Sequence, residues 1–280
     1  EYRRQRQMCI RDRLERCAAA APDARLRFTS PHPKDFPDDV LETIARVSNI
    51  AKQIHMPAQS GSDQMLRRMR RGYTDEAYRS LIQRARSVIP DVALSSDFIA
   101  GFCGESHEDH LQTLNLIRDT QYDMAFLFAY SSRDRTPAAR RLEDDVPPDI
   151  KKKRLQELID AFRTGREARS RERVGKIHLI LVEGAPRRDR GADLVSGRDD
   201  GNRVHVFPSS LPDGTELMPG DFAHVLVDRA EGATLIGVAL RRAAGAGDRP
   251  ECSHVDAETG AEFLIDEQTG ASRWAAEAPY

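Results

Sequence analysis

The sequence is poor in cysteine and has no long apolar runs, which excludes two broad classes of protein. Its 280 residues include four cysteines, Cys9, Cys17, Cys103 and Cys252, with neither the close spacing of a metal site nor a dense disulfide pattern. No apolar run approaches the ~18 residues that a membrane span needs, and no apolar signal region opens the chain. We therefore expect a soluble, intracellular protein with reduced thiols.

Charge is nearly balanced overall but is unevenly distributed along the chain. The 43 Lys and Arg residues against 45 Asp and Glu residues give a net charge of -2. Residues 151–203 are rich in Lys and Arg, whereas residues 243–280 carry mostly Asp and Glu. A polyanionic partner is therefore expected to meet the middle of the chain. A chain of this length also predicts two or three domains.

The opening segment, residues 1–24, has neither targeting character nor a clear hydrophobic period. Its Gln7–Arg13 stretch resembles translated adapter sequence, so the segment is interpreted as a non-native or truncated lead. The alternative is an ordinary charged helix that continues into residues 14–21. We assign no function to these residues.

Residues 25–131 alternate short apolar segments with amphipathic ones, a pattern typical of an α/β fold with parallel strands. Thr74 and Ser106 each precede acidic residues and are predicted to cap helices. The predicted strands are 26–29, 51–55, 93–100 and 124–129, and the predicted helices are 38–48, 63–71, 75–89 and 107–120.

The pattern changes twice after residue 146. Pro147 and Pro148 open a predicted helix that connects to the next module and runs to about residue 174. From there to residue 242, short strands broken by Gly, Pro and Asp-Gly turns predict a small all-β module, with strands at 176–182, 203–207, 222–227 and 234–240. Residues 243–250 have linker composition, and the tail, 251–280, is compatible with a three-stranded sheet.

Two of the predicted strands run into loops that are suited to bind a polar ligand. The strand ending at His55 is followed by Gln59-Ser60-Gly61-Ser62, and the strand ending at Ala100 is followed by Gly101-Phe102-Cys103-Gly104-Glu105. Parallel sheets bind ligands at the carboxyl ends of their strands, where such loops lie. Taken singly, a loop of either kind more often only caps a helix, but here such loops follow successive strands.

Several motifs in one order resemble the radical S-adenosylmethionine (SAM) methylthiotransferases over about residues 25–242. They are Arg27–Pro33, His55–Ser62, Met69–Thr74, Ser96–Glu105 and Phe126–Ser131. The resemblance implies that residues 25–146 are the C-terminal part of a partial (β/α) TIM-like radical SAM barrel. Residues 174–242 resemble the TRAM domain, a small OB-like barrel that binds RNA. The 97–105 segment is most similar to the branch that acts on N6-isopentenyladenosine beside the anticodon.

The resemblance implies a radical reaction on tRNA, with the anticodon stem-loop as partner. In this family one [4Fe-4S] cluster cleaves S-adenosylmethionine, and a second supplies the sulfur of a methylthio group at adenosine C2. The first cluster requires Cys-x3-Cys-x2-Cys, which the sequence lacks, and Cys103 stands where the family usually has proline. The chain by itself is therefore expected to be inactive. The alternative is a non-catalytic RNA-binding or adaptor protein.

The resemblance also implies site residues. The ribose or methionine part of S-adenosylmethionine is expected to contact Gln59, Ser60 and Ser62. Its adenine is expected to lie between Ile99 and Gly101 on one side and Phe128, Tyr130 and Ser131 on the other. For tRNA, the candidates in the α/β part are His32, Arg70 and Arg71. Alternatives remain, because the prolines around His32 suggest a loop-shaping role and the arginines suit a solvated helix face.

The all-β module has its own candidate RNA contacts, namely Lys176, Arg187, Arg188, Arg198, Asn202 and Arg203. The alternative for such a charge run is a solvated loop. The tail resembles the later part of a WW module, which implies a proline-rich peptide partner, although its usual first tryptophan is missing. By resemblance the compartment is the mitochondrion, with the cytoplasm as the alternative.

Overall fold

The computed structural model describes residues 2–29, 32–33, 36–187 and 193–248, together with the backbone of three strands between residues 254 and 274. The chain divides into two compact units, which are described separately. The first consists of residues 1–13, 27–46 and 52–166, and the second of residues 14–26, 47–51 and 167–280.

A three-stranded parallel sheet forms the centre of the first unit. Its strands are β1 (Gln53–His55), β2 (Ala93–Ala100) and β3 (Met124–Ala129), in that spatial order. The observed bounds of β2 and β3 coincide with the predicted ones, and the predicted α/β pattern is confirmed. β2 is central and largely buried, because hydrophobic residues on its helix-covered face, such as Leu94 and Phe98, are 1% and 0% exposed.

One predicted strand, 26–29, is wrong. Only Leu26 pairs, through a single parallel bridge to Ile50. In a parallel ladder, residues 27–29 would pair with the residues that follow Ile50, but the chain bends at residue 52, so the pairing ends after one bridge.

The helices are α1 (Tyr2–Ala20), α2 (Asp38–Arg46), α3 (Asp63–Arg68), α4 (Asp75–Val88), α5 (His107–Thr120), α6 (Pro137–Arg141) and α7 (Pro148–Arg171). The predicted caps are confirmed. The Thr74 hydroxyl accepts from the Ala77 N–H, and Ser106 and Asp109 form a reciprocal capping box. The short helix α6 was not predicted, and the backbone of the opening segment is helical over α1.

A closed five-stranded barrel dominates the second unit. Its strands are β4 (Ile177–Gly184), β5 (Leu194–Arg198), β6 (Val204–Pro208), β7 (Phe222–Glu231) and β8 (Thr234–Ala243), in the order β4-β5-β6-β8-β7. All pairs are antiparallel except β6 with β8. Phe207, Ile180 and Val225 lie in its core and are fully buried. This part of the chain is thus an all-β barrel, in which β5 is a strand that the prediction lacked.

Buried charges lie beside the turn between β5 and β6. The Asp199 carboxylate, 1% exposed as a residue, accepts from the Arg203 N–H at 2.8 Å and from its guanidinium at 3.0 Å. His205 Nε2 lies 3.3 Å and His178 Nδ1 3.8 Å from the same carboxylate. Although burial opposes it, these cationic and hydrogen-bonding neighbours hold the pKa of Asp199 well below its usual range. Burial lowers the pKa of His178 to about 3.

The predicted three-stranded sheet in the tail is confirmed for the described backbone. It consists of β9 (His254–Val255), β10 (Glu262–Ile265) and β11 (Ser272–Trp274), with β10 in the middle and both pairs antiparallel. The side chains of this segment, and with them the WW-like groove, lie outside the described residues. None of the helices within the described ranges combines the length and hydropathy that a membrane crossing requires.

Replacing Asp199 with asparagine is expected to destabilise the barrel by about 3 kcal/mol, because Arg203 keeps its charge and loses a buried partner. Hydrogen exchange of the β5 and β6 amides measures the loss. The low folded-state pKa means that the Asp199 contribution is present above pH ~4 and is lost as the pH falls towards that folded value. The variant should therefore lose less stability than the unchanged chain on acidification below pH 4. Exposed Asp193→Asn is the control, with an expected change within about 0.5 kcal/mol. Equal hydrogen exchange in the Asp199 and Asp193 variants would contradict a stabilising role of the Asp199 carboxylate.

Candidate functional site

A cavity of about 680 Å³ opens at the carboxyl ends of the three parallel strands. Gln59 follows β1, Ile99 lies near the end of β2, and Phe128, Tyr130 and Ser131 lie at the end of β3 or just after it. All five line this single cavity. The structure therefore brings together five of the eight residues predicted to contact S-adenosylmethionine.

Backbone pairing continues beyond the strand ends and fixes these residues in place. The Gln59 N–H donates to the Asp97 carbonyl at 2.8 Å, and the Ile99 N–H donates back to the Gln59 carbonyl at 3.0 Å. The Tyr130 N–H donates to the Ala100 carbonyl at 2.8 Å. Gln59 has a φ of 71°, a left-handed conformation that non-glycine residues adopt only when their surroundings enforce it. The cavity wall at Gln59 is therefore held in place by its pairing with β2.

The cavity lining combines aromatic surface with a few polar groups. The Phe128 side chain is 54% exposed, and the Tyr130 ring packs edge-on against Phe102 with centroids 4.9 Å apart. The Lys151 ammonium lies 5.2 Å from the Tyr130 ring centroid. Burial raises the pKa of Tyr130, and the neighbouring Cys103 adds to the shift, so its phenol stays protonated at neutral pH. Such a lining suits a flat ring with polar edges.

Asp97 also lines the cavity and was not predicted to do so. His55 Nε2 lies 3.4 Å from its carboxylate, and His55 Nδ1 lies 2.9 Å from the Ser95 hydroxyl. Asp97 and Ile99 are two residues apart on β2 and share a face, so strand alternation was the signal that identifies Asp97. Arg133 and Thr136 also line the cavity and follow β3, where no sequence period marks them.

The turn after β2 is tied to helix α7 through a buried carboxylate. The Gly101 N–H donates to Glu105 Oε2 at 2.8 Å, and Arg154 Nη1 donates to both the backbone carbonyl and Oε2 of Glu105 at 2.9 Å. Burial raises the pKa of Glu105, while the Gly101 N–H and Arg154 stabilise its ionised form. Gly101 has a φ of 71°, and a Cβ there would collide with the Lys151 side chain. Gly101 therefore shapes the turn beside the cavity and is absent from its lining.

Ser60 and Ser62 lie behind the cavity wall. Both residues are 1% exposed. The Ser60 hydroxyl lies 3.0 Å from the Thr113 hydroxyl, and the Ser62 hydroxyl donates to Asp109 and accepts from the Met65 N–H. Although burial opposes it, hydrogen bonds from Ser106 and Ser62 lower the pKa of Asp109. Their hydroxyls thus join the loop to α3 and α5, and the predicted cofactor contact of these two serines stays a prediction.

The three candidate tRNA contacts of the first unit lie around Tyr73 or beside it in sequence. The His32 ring meets Tyr73 edge-on at 5.5 Å, and the Arg71 guanidinium lies 5.7 Å from the same ring. Arg71 also donates to the Pro57 carbonyl at 3.3 Å. Arg70 is exposed and has a φ of 58°. His32 is therefore a neighbour of Arg71 across one aromatic ring.

In the second unit, most candidate RNA contacts are engaged within the barrel. Arg198 donates to Glu183 at 3.2 Å and to the Asn202 carbonyl at 3.0 Å, and Arg203 pairs with Asp199. Asn202 occupies a left-handed turn position with a φ of 65°. Lys176 is half-buried and Arg187 is exposed, whereas Arg188 lies outside the described residues. Of the described candidates, Arg187 presents its charge most openly.

The cysteines do not match the ligand set of an iron-sulfur cluster. Cys103 is 1% exposed and packs in an apolar cluster with Met65 and Phe102, which agrees with the buried-thiol alternative. Cys17 is exposed on helix α1. Within the described residues, no group of three or more His, Cys, Asp or Glu side chains is placed to hold a metal ion. The residues that the structure describes, Cys17 and Cys103 among them, therefore do not fit a cluster.

Comparison with known proteins relates this geometry to a family. Residues 5–117 match the model of the radical SAM superfamily. The chain contains part of a radical SAM domain. The matched segment includes residues 5–24, upstream of the motifs that carry the resemblance to methylthiotransferases.

Curated relatives of this chain are named as tRNA-modifying enzymes. The human protein "Mitochondrial tRNA methylthiotransferase CDK5RAP1" is 49% identical over 236 residues, which is 82% of this chain and 39% of the relative. The "tRNA-2-methylthio-N(6)-dimethylallyladenosine synthase" of Chlorobium luteolum is 47% identical over 224 residues, which is 80% of this chain and 49% of the relative. The chain thus spans less than half the length of these relatives.

Among solved structures, the radical SAM enzyme coproporphyrinogen III oxidase (HemN) of Escherichia coli aligns over 60% of this chain and 45% of its own. That alignment has a TM-score of 0.42 and 19% identity, a likeness too distant to bear on function.

Replacing Gly101 with alanine is expected to destabilise the first unit by about 2 kcal/mol or more, because a left-handed alanine adds strain and its Cβ collides with Lys151. Urea unfolding and hydrogen exchange of the 101–105 amides measure the change. Gly214→Ala is the matched control, since Gly214 has a φ of 81° with nothing near the added Cβ. The destabilisation of the Gly214 variant therefore measures the backbone strain alone, without a side-chain collision. Equal costs at the two positions would show that Lys151 moves aside freely.

Proposed function

We propose that this chain is part of a tRNA methylthiotransferase that uses radical SAM chemistry on N6-isopentenyladenosine beside the anticodon. The observation that carries the proposal is the convergence of Gln59, Ile99 and Tyr130 on one cavity at the carboxyl ends of three parallel strands. The high identity to enzymes named for this modification supports it. The name of the human relative places that protein in the mitochondrion, and the proposal includes the same compartment for this chain.

The cavity residues fit S-adenosylmethionine. The cavity volume of about 680 Å³ lies within the range of small-molecule sites. Ile99 and Phe128 offer apolar faces for the adenine, and Gln59 and Ser131 offer hydrogen-bonding groups for its polar parts. When bound in such enzymes, the cofactor supplies the radical chemistry. This chain's residues would bind and orient it, with Gln59 and Tyr130 fixed by their backbone bonds to β2.

The sequence as it stands does not supply the ligands of the cluster that cleaves the cofactor, because it has no Cys-x3-Cys-x2-Cys motif. We derive no catalytic step from it. The second candidate is an RNA-binding or adaptor protein without catalysis, which the closed barrel of the second unit favours. Both candidates share an RNA partner, and they differ in whether modification depends on the gene.

The barrel of the second unit is proposed to be the RNA-binding TRAM module. A closed five-stranded barrel is the architecture of OB-folds, which bind oligonucleotides. Exposed Arg187 supports contact with phosphates, while Arg198 and Arg203 shape the turn between β5 and β6. The WW-like tail and its proline-rich ligand remain a prediction on residues outside the described ranges.

Deleting the gene in its own organism is expected to abolish the 2-methylthio group on N6-isopentenyladenosine in total tRNA. Liquid chromatography with mass spectrometry of tRNA nucleosides measures the group, and the isopentenylated precursor should accumulate in its place. Complementation with the intact gene should restore the group. Complementation with Ile99→Asp should restore it poorly, because a charge on the cavity wall opposes adenine binding.

The same measurement separates the two candidates. Unchanged modification in the deletion strain, together with RNA binding by the purified chain, would favour the adaptor. Unchanged modification without RNA binding would contradict both candidates.

Replacing Arg187 with glutamine is expected to lower the affinity of the chain for an anticodon stem-loop RNA and to reduce the salt slope of binding by about 0.7 to 0.9. Fluorescence anisotropy over a series of salt concentrations measures both. Arg229→Gln is the control, because Arg229 is also exposed but pairs with Asp228 at 3.0 Å and Glu231 at 3.1 Å. An equal effect of the two changes would indicate that only net charge matters.

A further inference from the structure

A second cavity of about 600 Å³ adjoins the first in the radical SAM unit. The two cavities share four wall residues, namely Gln59, Ile99, Thr136 and Ala138. The second differs from the first in its charge. Four arginines line it, Arg68, Arg70, Arg71 and Arg141, and no acidic residue does.

These arginines keep their charge available. Within the described part of the chain, no carboxylate forms an ion pair with any of the four, and Arg71 contacts only a carbonyl and the Tyr73 side chain. Other arginines of the same unit, in contrast, do pair with carboxylates. Arg79 pairs with Asp75 at 2.6 Å, and Arg84 pairs with Asp38 at 3.0 Å. The cavity therefore concentrates positive charge that the protein does not use internally.

The local backbone holds the arginines at the cavity. The Arg68 guanidinium lies against Gly104, where an added Cβ would come within 2.7 Å of its Cζ atom. Gly104 thus leaves room for that side chain. Arg70 adopts a left-handed conformation at the end of α3, with its N–H bonded to the Arg67 carbonyl at 3.0 Å. Arg141 ends helix α6, whose first turn is capped by Thr136 from the shared wall.

We propose that the second cavity binds the phosphodiester backbone of the RNA, beside the nucleotide that is presented to the first cavity. The proposal rests on the proposed function and adds Arg68 and Arg141 to the predicted contacts. Guanidinium groups bind phosphate oxygens through paired hydrogen bonds. Four guanidinium groups are more than the single carboxylate of S-adenosylmethionine needs, and they can pair with more than one phosphate of an RNA strand. The shared wall at Gln59 places the phosphates next to the cofactor cavity.

Removing two of these charges tests the proposal. The double variant Arg70→Gln with Arg141→Gln is compared with Arg84→Gln with Arg118→Gln, which removes two exposed charges of the same unit outside both cavities. Anisotropy of a labelled anticodon stem-loop RNA is recorded over a salt series. The cavity variant should bind roughly tenfold more weakly, and its salt slope should fall by about 1.4, since each single-strand phosphate contact contributes about 0.7. The control should match the unchanged chain.

Two further measurements identify the ligand. Stem-loop RNA with neutral methylphosphonate linkages around the target nucleotide should bind the cavity variant and the unchanged chain equally. Equilibrium dialysis should show equal S-adenosylmethionine binding in both. An unchanged salt slope in the cavity variant overturns the proposal and leaves the proposed function standing. A selective loss of S-adenosylmethionine binding overturns it in favour of the cofactor's carboxylate. Failure of the unchanged chain to bind RNA contradicts both.

Discussion

The parallel pairing of β1, β2 and β3 is the constraint on which the candidate site depends. Because all three strands run in one direction, the loops that follow them leave the sheet at the same edge. Pairing continues past the strands, through Gln59 opposite Phe98 and through the Tyr130 N–H to the Ala100 carbonyl. A shift of register by one residue would turn Asp97 and Ile99 away from the cavity and place Phe98 in it. The lining is therefore set by backbone hydrogen bonds before any side-chain contact.

Buried polar groups hold the loops at this sheet edge in fixed positions. Glu105 links the Gly101 turn to Arg154 on α7, and Ser62 links the Gln59 loop to Asp109 on α5. Each carboxylate is satisfied by several donors, which is the condition under which a buried charge is tolerated. Two loops from different strands are thus held by two different helices. The cavity between them does not rely on flexible surface side chains for its form.

Much of this organisation could be predicted from the sequence, because its signals are local. The bounds of β2, β3 and α5, and the caps Thr74 and Ser106, follow from alternation, periodicity and hydroxyl placement within a few residues. The strand at 26–29 was predicted wrongly because a strand needs a partner strand, which the local sequence does not show. The short helix α6 does have a local signal, the Thr136 cap followed by Pro137, which the prediction missed. The orientation of Ser60 and Ser62 depends on Thr113 and Asp109, which lie about 50 positions later. The ion pair between Arg203 and the buried Asp199 likewise cannot be predicted from residue type, because the sequence does not show which carboxylate is buried.

Arg25 shows that a residue far upstream of the barrel strands in sequence helps to hold the barrel together. It donates to the Leu179 and Arg198 carbonyls, at 2.8 and 2.6 Å, pairs with Asp200 at 2.9 Å, and lies over the Phe222 ring. It stands about 150 residues before the first barrel strand, in a segment that clusters with residues 167–280. A recombinant barrel beginning at residue 174 would lack this clamp between β4 and β5. Its RNA affinity would then be measured on a loosened fold and would understate that of the whole chain.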